Sequence, residues 1–313
     1  LHVRHRSAYW SHYLAEESTF YIQINHTTSA GRGGYESFED FYDQAFAFIE
    51  EHPVDKVVLD IRYNSGGDGS VLIPFVHKFI RSDRANRRGH LFTIVGRKTY
   101  SAATMLLDLM LKHTNTVLVG EPAGSALNGY GDPRQYTLPN SGMSMDLSSE
   151  FWKLVHTSRS PSLTPIDIPA VFRSGHYFSG ADPALDTILA VDAPYTTLDQ
   201  VLAMEGGEAA RRRYAQEKRA YGEYEWWRPF DESTFRKVAR SKAANGEVED
   251  GISGFEVLVD AYPESWRAWR DFGKVCMQDG QPETALQHLE KAREINPGDS
   301  EINTLIDDLR RAN

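Results

Sequence analysis

The chain has 313 residues, of which 41% are apolar, 25% charged and 12% aromatic, the make-up of a globular protein long enough for two domains. Its 34 basic and 44 acidic residues leave a net charge of −10, which excludes a general nucleic-acid binder, since such binding rests on basic surface displacing counterions. No run reaches the roughly 18 apolar residues of a membrane-spanning helix, and the single cysteine, Cys276, excludes an internal disulfide framework. Because the chain starts at Leu1 rather than Met, a preceding segment is expected, with any signal peptide in it.

Strand and helix signals alternate through the first part. Phe20, Ile22 and Ile24 alternate with polar residues as a half-buried strand does. Ser37, with Asp40 three residues on, caps a predicted helix whose Phe41, Ala45, Phe46 and Ile49 share one face. Lys56 to Ile61 is a short apolar run typical of a strand covered on both sides. The glycine-rich turn Asn64-Ser65-Gly66-Gly67-Asp68-Gly69 then leads into a helix over Val71 to Ile80. A strand at Leu91 to Val95, a helix at Ala102 to His113 and a strand at Thr116 to Gly120 follow, so an α/β domain with a largely parallel sheet is expected. Tyr136 to Pro139 and Met143 to Leu147 flank Asn140-Ser141-Gly142 as a hairpin.

Residues 191–228 are charged and polar and read as a linker with some helix between a domain at 1–190 and a helical region at 229–313. In that last region Trp269, Phe272, Gly273, Ala285, Leu289, Ala292 and Pro297 fall at the signature positions of a tetratricopeptide repeat. Stepping back by the repeat's 34-residue period places Pro263 under Pro297 and Phe255 under Leu289, and residues 299–311 form a capping helix. The concave face of such repeats suits a protein partner.

For the chemistry, Gly67-x-Gly69 has Leu72 where a dinucleotide fingerprint has its third glycine, and neither a Walker lysine nor His/Cys ligand spacing is present. No cofactor or metal is expected. Ser101, in Thr99-Tyr100-Ser101-Ala102-Ala103, falls between a strand and a helix start, where unpaired N–H groups and the helix dipole can stabilise an oxyanion. The other reading of Ser101 is an ordinary N-cap. Gly66-Gly67 and Glu121 each follow a strand's carboxyl end, so the three features are expected to converge on one cleft.

Asp60-Ile61-Arg62-Tyr63-Asn64-Ser65-Gly66-Gly67, Thr99 to Ala103, Val119-Gly120-Glu121-Pro122, Thr164-Pro165-Ile166-Asp167-Ile168 and Gly180 to Leu185, in this order, resemble the tail-specific (C-terminal-processing) protease family over residues 8–190. The resemblance implies a ClpP/crotonase-like α/β fold, a serine-type peptidase acting on a peptide or protein substrate, and an extracytoplasmic location. It implies Ser101 as nucleophile, with an oxyanion hole from Gly66, Gly67 and the N–H of Ala102. The chain departs from the family at the base, a lysine roughly 25 residues after the serine, which activates the hydroxyl. That count lands on Ala126, Thr104 stands where the family has a glutamate, and Lys112 stands where an acid is frequent. A histidine (His2, His5, His12 or His26, or one in the segment expected before Leu1) or Lys98 remains as base, with Glu121 able to orient it; Lys98, three residues before Ser101, is expected to point away. Asn128, Tyr130 and Asp132 are either cleft residues or an ordinary polar turn. Without a base the alternative is an inactive peptidase-like fold that binds peptides or proteins.

Overall fold

The computed structural model describes residues 7–31, 34–155 and 164–312. The chain divides into two units, Leu1–Tyr195 and Thr196–Asn313, the first α/β and the second all-α. The fold class expected from the sequence, an α/β unit followed by helical repeats, is the one observed.

The first unit is built on a six-stranded sheet. Its strands are β1 (Tyr9–Leu14), β2 (Thr19–Ile24), β3 (Lys56–Asp60), β4 (Leu91–Val95), β5 (Val117–Gly120) and, later in the chain, a short strand at Ile168–Pro169. The order is β1-β2-β3-β4-β5 with the Ile168–Pro169 strand outermost, antiparallel at β1–β2 and parallel elsewhere. Parallel neighbours require crossovers, and α1 (Phe38–Glu51), α2 (Leu72–Arg81) and α3 (Ala102–His113) supply them. Every residue of β3, β4 and β5 is buried, which explains why these strands read as unbroken apolar runs rather than alternating ones. The Ser37 hydroxyl accepts from the Asp40 N–H at 3.0 Å, as the capping pattern required. The aromatic stripe of α1 interlocks with α2 through Phe38 against Phe75 and Phe46 against Phe79.

β6 (Asn128–Thr137) and β7 (Ser144–Lys153) pair as an antiparallel ribbon separate from the main sheet. The expected hairpin is therefore present but much longer, because its pairing runs back to Asn128 and Lys153 through polar and glycine residues that carry no apolar signal. With the short strand at Ile168–Pro169 as β8, the unit closes with α4 (Ser174–Ser179) and α5 (Pro183–Ala190). Ala184, Leu185 and Ile188 of α5 pack on one sheet face with Tyr21, Val58, Phe92 and Val119.

Two buried groups hold α5 to β3 at both ends. Just after β3, Arg62 makes a bidentate pair with Asp182, Nη1 to Oδ1 at 2.6 Å and Nη2 to Oδ2 at 2.9 Å, and Asp182 in turn caps the helix by accepting from the Leu185 N–H. The same guanidinium donates to Asp60 Oδ2 at 2.8 Å, and the Tyr21 hydroxyl donates to that oxygen as well. Burial, reinforced by the Asp60 charge, holds the Tyr21 phenol well above its ordinary pKa, so it stays a donor. At the other end, the buried Lys56 ammonium donates to the carbonyls of Ile188, Leu189 and Val191 at 3.0, 3.3 and 2.6 Å, where the helix dipole favours a cation.

The second unit begins inside the stretch expected to be a linker, and here the sequence reading is corrected. Residues 198–221 form α6 (Leu198–Glu205) and α7 (Gly207–Tyr221), and Leu198, Val201, Leu202, Ala210 and Tyr214 belong to the unit's buried core. The high charge of α7 misled the reading: Arg211, Arg212 and Arg213 pair with Glu256, Glu208 and Glu217, while only a narrow apolar stripe faces in. Next come α8 (Glu232–Ala244), α9 (Val248–Ala261), α10 (Trp266–Gln278), α11 (Pro282–Ile295) and α12 (Ser300–Ala312). The starts of α8, α10 and α12, at 232, 266 and 300, recur at the 34-residue interval, as do those of α9 and α11. Phe272, Gly273, Ala285, Leu289 and Ala292 of the repeat signature are all buried between α10 and α11, and Pro297 follows the end of α11. Among the described residues no helix is long and apolar enough to cross a membrane.

Candidate active site

Thr99, Tyr100 and Ser101 follow β4 as a short strap bonded to the segment after β3. The Thr99 hydroxyl donates to the Ile61 carbonyl at 2.9 Å and accepts from the Gly96 N–H, and the Tyr100 N–H donates to the Asn64 carbonyl at 3.0 Å. These bonds fix Ser101 at the start of α3 in an unusual conformation, φ 55° and ψ −125°. A non-glycine residue at positive φ costs about 1–3 kcal/mol and persists only where its surroundings impose it.

Ser101 is exposed, and among the described residues its hydroxyl makes no hydrogen bond; in particular it forms no side-chain cap. The N-cap reading is thereby removed. The first turn of α3 is closed by backbone instead, with the Thr104 and Met105 N–H groups donating to the Ser101 carbonyl. The Ala102 N–H donates to nothing described.

The glycine turn lies directly against this serine. A methyl group on Gly66 (φ 108°) would stand 2.7 Å from Ser101 Cβ and 3.1 Å from its Oγ. One on Gly67 (φ 134°) would stand 2.0 Å from the Thr27 carbonyl oxygen and 3.0 Å from Cε1 of His26. Both glycines are thus required by conformation and by close approach. The turn is also clamped to the segment after β2, the Thr27 N–H donating to the Gly66 carbonyl and the Asp68 N–H to the Thr27 carbonyl.

The expected oxyanion donors do not all survive this geometry. The Gly66 N–H is taken by Asn64 Oδ1 at 2.8 Å, an Asx-type bond that shapes the turn, so Gly66 is corrected from a donor to a spacer that lets Ser101 approach. The N–H groups of Gly67 and Ala102 carry no bond among the described residues.

Of the base candidates, His2 and His5 lie outside the described residues. His12 sits within β1, the antiparallel edge strand. His26 is exposed and lies against Gly67. The Lys98 ammonium stands 5.7 Å from the Tyr63 ring centroid, engaged there rather than at Ser101. Glu121 accepts from Arg97 Nε at 2.9 Å and from the Phe172 N–H at 3.4 Å. It lines a cleft of about 240 Å³ with Arg62, Tyr63, Lys98 and Phe172, whose lining does not include Ser101. Of the three strand-end features, therefore, the glycine turn meets the serine and Glu121 faces a neighbouring cleft.

Beside Ala126, Ser125 forms an uncharged pair with Thr104. The Thr104 and Ser125 hydroxyls are 2.8 Å apart, joining the first turn of α3 to the loop before β6, and the Gly124 N–H donates to the Thr99 carbonyl at 3.0 Å. Lys112 is not catalytic in placement, since it pairs with Asp108 at 2.6 Å in the last turn of α3 and donates to the Leu154 carbonyl. Asn128 closes the base of the ribbon on Val155, Tyr130 packs against Phe151, and Asp132 accepts from the Trp152 indole at 2.8 Å. Among the described residues no group of three His, Cys, Asp or Glu could hold a metal ion.

No family model and no curated protein matches the chain. Among solved structures it is similar to a candidate peptidase from Parabacteroides merdae, at 19% identity and a TM-score of 0.44, over 59% of this chain and 65% of that one. A candidate S41 protease from Bacteroides fragilis is similar at 15% identity and a TM-score of 0.37, over 55% of this chain and 51% of that one. The first TPR of Spaghetti (RPAP3), solved with an HSP90 peptide, is similar at 14% identity and a TM-score of 0.26, over 37% of this chain and 86% of that one. The chain thus spans less than two thirds of each of the two peptidase-like structures.

Proposed function

We propose that this chain is a serine-type peptidase whose nucleophile is Ser101 and whose second unit binds a protein partner. The observation that carries the reading is the strained, exposed and unbonded serine at a helix start, held against a glycine turn. Strain at a single exposed hydroxyl, imposed by bonds on both sides, is what a preorganised nucleophile requires and what a structural serine does not.

In this reading Ser101 Oγ attacks the peptide carbonyl carbon, and the N–H groups of Gly67 and Ala102 receive the developing oxyanion at the positive end of α3. His26, beside Gly67, takes the hydroxyl proton and returns it to the departing amine as the C–N bond breaks. Water, deprotonated by the same imidazole, then attacks the acyl carbon, and the imidazolium returns that proton to Ser101 Oγ as the ester bond breaks. Neither step needs a cofactor.

Labelling with a fluorophosphonate probe tests this. Wild type should label stoichiometrically and Ser101→Ala not at all, while His26→Gln should slow labelling about 100-fold or more. A wild type that stays unlabelled from pH 5 to 9 would overturn the enzyme and leave a peptide-binding module, the reading that the uncharged Thr104–Ser125 pair favours.

A further inference from the structure

The ribbon of β6 and β7 carries a surface for which the fold provides no use. Residues directly opposite each other in an antiparallel pair share a face. The register pairs Tyr130 with Phe151, Arg134 with Leu147 and Tyr136 with Met145, and Leu138 and Met143 continue the same face beyond the last pair. The opposite face, with pairs such as Gln135–Asp146 and Thr137–Ser144, is polar except for Trp152 opposite Gly129. The ribbon is therefore amphipathic, as a strand with one buried face would be, yet the seven large apolar side chains on its apolar face are 39–71% exposed.

At about 200 Å² per large side chain this leaves on the order of 700 Å² of apolar surface in water. That is beyond the scattered exposure of an ordinary surface, and it approaches the ~800 Å² one partner contributes to a stable interface. A two-stranded ribbon is moreover marginal on its own and gains from a third strand. The two edges are not equivalent. β6 contains Gly129, Gly131 and Pro133, whereas β7 has neither proline nor glycine in its ten residues. An added strand pairs on the β7 side.

Position and charge identify the occupant. The loop entering the ribbon is bonded to Ser101's own helix and strap, through Thr104–Ser125 and Gly124–Thr99. Tyr130, at the near end of the apolar face, is only five residues past Ser125, within ~17 Å of extended chain. In the middle of the face stands Arg134, exposed and without an ion pair among the described residues.

We infer that the ribbon is the docking surface for the polypeptide substrate, and that it selects an extended apolar segment containing an acidic residue. The segment adds to the edge of β7, lays its alternate apolar side chains on the ribbon face and offers its carboxylate to Arg134. Main-chain pairing is indifferent to sequence, so the selectivity is for unfolded, apolar chain rather than for one cleavage motif. This inference rests on the peptidase reading for its substrate, but its test does not.

The test uses the full chain with Ser101→Ala, which prevents turnover, and a fluorescein-labelled 12-residue peptide alternating Phe or Val with Ser around one central Glu. Fluorescence anisotropy should show saturable binding. Met145→Glu and, separately, Tyr136→Ser should each weaken it tenfold or more with an unchanged circular dichroism spectrum, and a peptide with Lys for Glu should bind at least fivefold more weakly. Absent binding, or equal binding by both variants, overturns the assignment. So does light scattering that shows a dimer broken by Met145→Glu, since the face would then belong to a second copy. Fluorophosphonate labelling without peptide binding removes the ribbon's role and keeps the peptidase; binding without labelling does the reverse.

Discussion

Ser101 holds a conformation that glycine adopts freely and alanine does not, so its two simplest replacements should separate strain from chemistry. Ser101→Ala keeps the strained backbone and loses only an unbonded hydroxyl, so its stability should match wild type to within about 0.5 kcal/mol. Ser101→Gly relieves roughly 1–3 kcal/mol of strain and costs about 0.4–1 kcal/mol in unfolded-chain entropy. The glycine variant should therefore be the more stable by about 1 kcal/mol, seen as a higher midpoint of urea unfolding. Equal midpoints would mean that the strap imposes no strain. The importance of Ser101 was legible in the sequence only through its neighbours, because a serine before a helix is most often a cap. What removes the cap reading, φ and the missing cap bond, is tertiary information. The fate of Gly66 was hidden for the same reason: Asn64 two residues earlier offers an Asx bond, but whether it takes the glycine N–H depends on how the turn is clamped to Thr27.

At the scale of elements, the cluster of Asp60, Arg62, Asp182 and Tyr21 links the end of β3 to the start of α5. Among the described residues Arg62 is the cation that pairs with both buried carboxylates of this cluster, so Arg62→Ala removes an ion pair from each of them. The cost should be about 3–5 kcal/mol, read as a fall in denaturation midpoint with little change in slope. A loss under 1 kcal/mol would show that water reaches the cluster. Arg62→Lys should fall between, since one ammonium cannot reproduce the fork to Asp182. Most elements could be read from periodicity: α1, α3, β3, β4 and β5 are found within a residue or two of where apolar spacing placed them. The exceptions have a common cause. β7 is exposed along its whole length and β6 along most of its length, and α7 is charged on most of its surface, so none of them carries the burial signal on which such reading depends.

For the molecule as a whole, two separate cores predict two separable folding units. A fragment of residues 196–313 should fold by itself, with a helical circular dichroism spectrum and a cooperative transition. One starting at 229 lacks Leu198, Val201, Leu202, Ala210 and Tyr214 and should be markedly less stable or molten. Equal midpoints for the two fragments would restore 191–228 to the status of a linker. The first unit cannot be shortened in the same spirit, because β3 and α5 are joined at both ends by groups 120–135 residues apart in the chain. On a ribosome adding roughly 5–20 residues per second, Arg62 and Lys56 wait about 6–27 s for the residues that satisfy them. The central strand of the sheet therefore emerges long before its last covering helix. A nascent chain stalled between residues 62 and 181 carries two cations whose acceptors at α5 have not yet been made, and this makes the unit's completion a single late event in its synthesis.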